Sequence, residues 1–148
     1  MGSKERFKLI PAVHLFLVRG QEILLSRRFN TGWEDGNYSV PCGHVEENET
    51  VTAALIREVH EEIGSIISPA DLRFVHVMHR NGGAENTRVD FFFAAERWGG
   101  EPRNMEPRKC DDLKWCPLDA LPENTIPYIR SALDHYRRGV FYSEFGWQ

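Results

Sequence analysis

The spacing of apolar and polar positions changes along the chain and divides it into elements. Residues 8–19 (KLIPAVHLFLVR) and 22–29 (EILLSRRF) are apolar-rich runs of strand length. Gly20-Gln21 between them suits a hairpin turn. The polar stretch 30–37 (NTGWEDGN) reads as a loop, and residues 38–46 return to the sheet. From Thr50 to Ile63 the period lengthens. Val51, Leu55, Val59 and Ile63 recur every four residues with Ile56 on the same flank, which predicts a helix. Thr50 suits its N-cap and Gly64 the left-handed position at its end. Residues 72–80 (LRFVHVMHR) and 88–97 (RVDFFFAAER) predict a second strand pair around the turn NGGAEN. Residues 112–117 predict a short strand. Asn124 to Arg138 predict a second helix with Ile126, Ile129, Leu133 and Tyr136 on one face. Strands before and after each helix predict an α/β fold whose mixed sheet is covered on both faces.

The first helix gathers its acids on one strip. At about 100° per residue, Glu58 and Glu62 lie within about 40° of each other, and Glu61 about 60° to the other side of Glu58. The three carboxylates border the apolar face, where a groove would lie. Like charges at i,i+4 destabilise an isolated helix by roughly 0.2–0.5 kcal/mol, and Glu46, Glu47 and Glu49 add to the repulsion. A hard divalent cation would relieve it, because Mg²⁺ takes oxygen ligands and is shared between carboxylates and substrate phosphates. Arg57 could orient Glu49 through a bidentate contact. The ordinary alternative for such a run is a solvated acidic face.

The upstream register weighs against that alternative. Residues 43–64 read GHVEENETVTAALIREVHEEIG, with Gly43, Glu49, Arg57, Glu58, Glu61, Glu62 and Gly64 at fixed spacings and Val59 inside the acidic cluster. Seven such residues, each at roughly 5–7% usage, coincide by chance about once in 10^8 windows. The pattern resembles the Nudix box. The family's last position, usually aliphatic, is Ser65 here, a departure expected to alter packing at the helix exit and not the chemistry. The resemblance implies one Nudix hydrolase domain over residues 1–148, folded as an α/β/α sandwich with a mixed central sheet. It also implies hydrolysis of a nucleoside diphosphate linked to another group, X.

Over nearly its whole length the chain is similar to the MutT-type branch of that family. LLSRRFNTGWEDGNYSVPCGH (24–44) resembles the branch's strand, Arg pair, loop and lead-in to the box. That likeness nominates Arg28 for phosphate and the backbone carbonyl of Cys42, where Gly is usual, for metal. His44 stands where a phosphate-facing Lys is often found, with a charge that depends on pH. ERWGGEPRNMEPRK (96–109) resembles a loop with a further metal-associated acid and nominates Glu106. Asn124 lies near the polar residue that reads the base. Together these imply that Glu58, Glu61, Glu62, Cys42 and Glu106 hold Mg²⁺, with Mn²⁺ as a substitute. Glu58 is the implied general base, supported by Arg57 and Glu49, while Arg28, His44 and Asn124 bind substrate. A base pocket is expected between the first strands and the 72–97 hairpin. Trp33, Tyr38, Phe74 and Phe91 are its stacking candidates, although aromatics serve burial more often.

Signatures of other branches are missing: Asn81 stands where ADP-ribose hydrolases place Pro, and Gly82-Gly83 where diadenosine polyphosphate hydrolases prefer Tyr. These absences favour hydrolysis of nucleoside triphosphates to monophosphate and pyrophosphate, with clearance of damaged nucleotides as one role. An ADP-ribose or nucleotide-sugar pyrophosphatase is the alternative, and a nucleotide-binding sensor without catalysis a second.

Composition narrows the partners. A net charge of −4 offers no global field for nucleic acid, so no nucleic-acid polymer is expected. No apolar run approaches the ~18 residues of a membrane span, so no membrane partner is expected. MGSKERFKLIP lacks a signal-peptide core, and Arg6 stands where a myristoylation motif has Ser or Thr. Cys42, Cys110 and Cys116 are an odd count without zinc spacing, which predicts a reducing cytosol and no disulfide framework. The expected state is a cytoplasmic monomer or homodimer whose partner is a small molecule of the nucleoside di- or triphosphate type.

Overall fold

Strand β1 (Ile10–Arg19) runs through the middle of the structure and carries apolar side chains on both faces. The computed structural model describes residues 4–148; the first three residues of the N-terminal segment read above lie outside them. Successive strand residues point to opposite faces. Val13, Leu15 and Leu17 pack with Leu55, Val59 and Ile63 of α1 (Val51–Ile63). Phe16 and Val18 pack with Ile129 and Leu133 of α2 (Pro127–Arg137). A strand apolar at both parities needs a covering layer on each side, and the two helices supply them.

Beyond Gly20 (φ +61) the chain returns as β2 (Glu22–Arg28), with Arg19 opposite Glu22. The remaining strands are β3 (Tyr38–Ser39), β4 (Cys42–His44), β5 (Arg73–Asn81), β6 (Thr87–Ala95), β7 (Cys110–Pro117) and β8 (Tyr142–Phe145). The sheet order is β3-β2-β1-β6-β5-β8, with β4 against β1 and β7 against β2. The β1–β6 and β5–β8 pairs are parallel and the others antiparallel, which gives the mixed α/β/α sandwich expected from the sequence.

Helix α1 begins and ends where its sequence says. The Thr50 hydroxyl accepts from the Ala53 amide at 3.1 Å, and Gly64, at φ +73, donates to the His60 carbonyl. Helix α2 is shorter than expected at its start. Asn124–Ile126 line the edge of β3, where Tyr38 donates to the Asn124 carbonyl and Ile126 donates to the Tyr38 carbonyl. Pro127 then opens the helix, and a residue before proline disfavours helical backbone. The region 38–46 splits into β3 and β4 around Pro41, whose carbonyl accepts from Leu15. Strand β8 and a single 3₁₀ turn at Pro69–Asp71 were not expected from the sequence. Cys42, Cys110 and Cys116 are free thiols, and no helix among the described residues is long and apolar enough to cross a membrane.

Candidate active site

The acids of α1 face a cleft of about 700 Å³ that also takes residues from β2, β4 and the 104–110 segment. Arg57 organises its rim. The guanidinium donates to both carboxylate oxygens of Glu49 (3.1 and 2.7 Å), to Glu58 (2.9 Å) and to the His44 carbonyl (3.2 Å). Longer contacts at 3.5 Å reach Glu61. One planar cation thus fixes three carboxylates against the backbone of β4. Gly43 lets this happen: a Cβ there would lie 2.1 Å from the Glu58 carboxyl carbon. The box glycine is therefore required by close approach, not by backbone conformation.

Glu62 sits deepest, accepting from the Cys42 amide at 3.2 Å. Burial, and then the neighbouring charges of Glu58 and Glu106, hold its carboxyl well above the usual carboxylate range. Burial also raises Glu58, against the opposing effect of Arg57. Burial pushes the Cys42 thiol up to about 12, so it stays protonated at neutral pH and is no nucleophile.

Glu106 reaches the cleft because α1 ends beside its loop. The Glu62 and Ile63 carbonyls, left without helical partners, accept from Met105 and Arg103. Ser65, at the position where the family usually has an aliphatic residue, is fully buried and donates to the Gly100 carbonyl at 2.9 Å. The substitution at the helix exit thus ties the same loop to the helix.

Arg28 lies where a bulge between Arg27 and Arg28 interrupts the β2–β7 register. It donates to the Trp33 carbonyl (2.7 Å) and the Thr31 hydroxyl (2.8 Å) of the 30–37 loop. Asp35 closes that loop by accepting from Thr31 and Gly32, and these bonds, the Thr31 hydroxyl first, lower its pKa. His44 accepts from Arg88 at 2.7 Å, and partial burial together with that cation lowers its pKa. The ring is therefore a neutral acceptor at neutral pH, and the positive charge at this place is that of its neighbour Arg88. Asn124 is placed differently from the expectation. It is exposed, lines neither cavity, and its amide donates to the Gly36 carbonyl at 2.7 Å.

A second cavity of about 280 Å³ opens beside the cleft and shares Arg28, Cys42, Gly43 and His44 with it. It takes residues from β1, β4, the β5–β6 hairpin and α2, in the region where the sequence places a base pocket. Of the four stacking candidates only Trp33 lines it; Tyr38 is buried, Phe74 packs edge-on to Phe93, and Phe91 packs into the core under α1. Its floor is a buried polar group that sequence reasoning missed. Arg80 pairs with Asp90 at 2.7 Å, and the Tyr128 hydroxyl meets His14 Nε2 at 3.0 Å. Burial lowers His14 to about 4. The local pattern carries no signal for it, because Arg80 and Asp90 are brought together only by the register of β5 and β6, which also sets Arg80 opposite Arg88.

The donor set fits a hard divalent cation: Glu58, Glu61, Glu62 and Glu106 share one cleft, and two of them have raised pKa values from burial and mutual repulsion. Among the described residues no three His, Cys, Asp or Glu side chains already stand together as a finished ligand group. Arg57 occupies the Glu58 and Glu61 carboxylates.

Comparison with known proteins agrees with this architecture. The NUDIX domain family matches residues 8–136. The NAD-capped RNA hydrolase NudC of Pseudomonas aeruginosa is 33% identical over 138 residues, covering 90% of this chain and 45% of that protein. A Mycobacterium tuberculosis protein whose name proposes an 8-oxo-dGTP diphosphatase is 30% identical over 132 residues, covering 82% of this chain and 92% of that protein. The crystal structure of a MutT NUDIX hydrolase from Burkholderia pseudomallei superposes with a TM-score of 0.79 at 29% identity, covering 86% of this chain and 98% of that one. The chain spans about half the length of the NudC relatives it matches. Matched along most of its length by sequence and by fold, the chain belongs to the Nudix hydrolase family.

Proposed function

We propose that the protein is a Mg²⁺-dependent pyrophosphohydrolase that converts nucleoside triphosphates to monophosphate and pyrophosphate. The observation that carries this reading is the cleft itself, which is lined by Glu58, Glu61, Glu62 and Glu106 and by Arg28. These four acids and the Cys42 carbonyl are the proposed cation ligands. When bound, the cation neutralises phosphate oxygens and acidifies water. Arg28 holds the polyphosphate. Glu58, whose carboxyl burial raises against the opposing effect of Arg57, takes the proton of the attacking water. Water adds to the α-phosphorus, the bond to the α–β bridging oxygen breaks, and pyrophosphate leaves. Arg57 and Glu49 position Glu58 without touching substrate.

The names of the relatives support a second reading, a hydrolase of dinucleotide-type diphosphates, including one at the 5′ end of RNA. Products separate the two. The panel is (d)NTPs, oxidised dNTPs, ADP-ribose, NAD and NAD-capped RNA with Mg²⁺, with products resolved by chromatography. Pyrophosphate from a triphosphate, lost at least about 10²-fold in Glu58→Gln, supports the first reading. Two monophosphates from a dinucleotide move the protein to the second. Tight binding without turnover on any member leaves a nucleotide sensor.

A further inference from the structure

The side cavity is chemically unlike the cleft it joins. The cleft is lined by five glutamates, whereas no Asp or Glu lines the cavity, which instead has three arginines, Arg28, Arg80 and Arg88. Only Arg80 is neutralised, by Asp90 behind it. Neither Arg28 nor Arg88 has a carboxylate within 4.0 Å among the described residues. Arg88 is half-buried and held in place by neutral acceptors, Asn86 (2.8 Å) and His44 (2.7 Å), which use Nε and one terminal nitrogen. Arg80 is just as fixed, with Nε and one terminal nitrogen on Asp90. Its other terminal nitrogen has no partner among the described residues. No fully buried side-chain nitrogen or oxygen there is left unbonded, so this nitrogen keeps some exposure, and its guanidinium lies 3.7 Å over the ring of Tyr128, which also lines the cavity. Arg80, Arg88 and Arg28 thus line one space to which no Asp or Glu contributes, and the Asp90 carboxylate behind it is already taken by Arg80. Partly buried cations of this kind are stabilised by an oxyanion that accepts several hydrogen bonds at once.

We infer that the side cavity receives a phosphate group beyond the diphosphate being cleaved, with Arg88 as the residue that selects for it. This rests on the hydrolase reading above and narrows its substrates to diphosphates with a further phosphate, over diphosphates with uncharged ends. The group has two sources: the terminal phosphate of a triphosphate, or a phosphate on the sugar of the nucleoside.

Binding in Mg²⁺ buffer tests this without turnover. Calorimetry compares inorganic tripolyphosphate with pyrophosphate, and adenosine 3′,5′-bisphosphate with adenosine 5′-monophosphate, in wild type, Arg88→Gln and Arg88→Lys. In wild type, at least one pair should differ by about tenfold or more, the size of one charged hydrogen bond. Arg88→Gln should bring that ratio near one with an unchanged melting temperature, while Arg88→Lys keeps part of it. The pair that responds identifies the source of the phosphate. Wild-type ratios near one for both pairs overturn the inference whether or not the variants fold, as does a ratio that survives in a folded Arg88→Gln. If triphosphates are hydrolysed while both ratios stay near one, the inference fails and the hydrolase reading stands. If an Arg88-dependent ratio is measured and no diphosphate is turned over, the phosphate site stands and the hydrolase reading fails.

Discussion

At Gly43 a hydrogen atom is all that separates the β4 backbone from the proposed base. A methyl group there would lie 2.1 Å from the Glu58 carboxyl carbon, so Glu58 must swing away and take its bond to Arg57 with it. Displacing a reacting group by about 1 Å can cost on the order of 10²-fold in rate. Gly43→Ala should therefore lose about that much kcat on whichever substrate the wild type turns over, while its far-UV circular dichroism stays the same. A fully active Gly43→Ala protein would remove Glu58 from the chemistry. Arg57 has the complementary role: one guanidinium sets the directions of Glu49, Glu58 and Glu61.

Among the elements, α1 has both its ends written locally. Thr50→Ala removes the bond to the Ala53 amide and should cost about 1 kcal/mol, read as a lower urea midpoint with an unchanged slope. The same locality made this element, and the helical acids of the candidate site, readable in advance: the apolar period, the caps and Glu58, Glu61 and Glu62 are all within residues 50–64. What could not be read depends on partners distant in sequence. Strand β8, alternating exposed and half-buried residues, is a strand because Val77–Arg80 lie beside it. The start of α2 is moved by Tyr38, which engages Asn124 and Ile126, and the Asn124 amide is held by Gly36 on the opposite loop. Arg80 and Arg88 meet only once the turn fixes the register of β5 and β6, so the cationic wall left no mark in the local pattern. Ser65, a departure from the family pattern, proves to anchor the Glu106 loop through Gly100.

Across the whole molecule, the helices meet the sheet from opposite sides, and the polar group under the side cavity holds the buried charges of an interior whose other buried polar residues are Ser39, Ser65, His76 and Thr125 among the described residues. His14 is fully buried there, bonded to Tyr128 and the Phe91 carbonyl. Its pKa falls from 6.5 in the unfolded chain to about 4 in the folded protein. The unfolded chain thus binds the proton first, so stability from this residue is complete above pH 6.5 and is lost as pH falls toward 4. Between pH 7 and pH 5 the loss is about 2 kcal/mol. Urea unfolding at the two pH values should show His14→Gln losing less stability than wild type by about that amount; equal losses would mean that the ring is not held neutral. Strand β1, the layer both helices share, also bears on how the chain reaches this state. Its parallel partner begins with Ile10 opposite Arg88, 78 positions later (88 − 10). During synthesis the β1–β2 hairpin and α1 emerge long before β6 can join them, so β1 waits with one edge open and both apolar faces only partly covered. Such late, non-local pairing belongs to the slow class of folding, milliseconds to seconds, and makes the interval before β6 arrives the time of greatest exposure to aggregation.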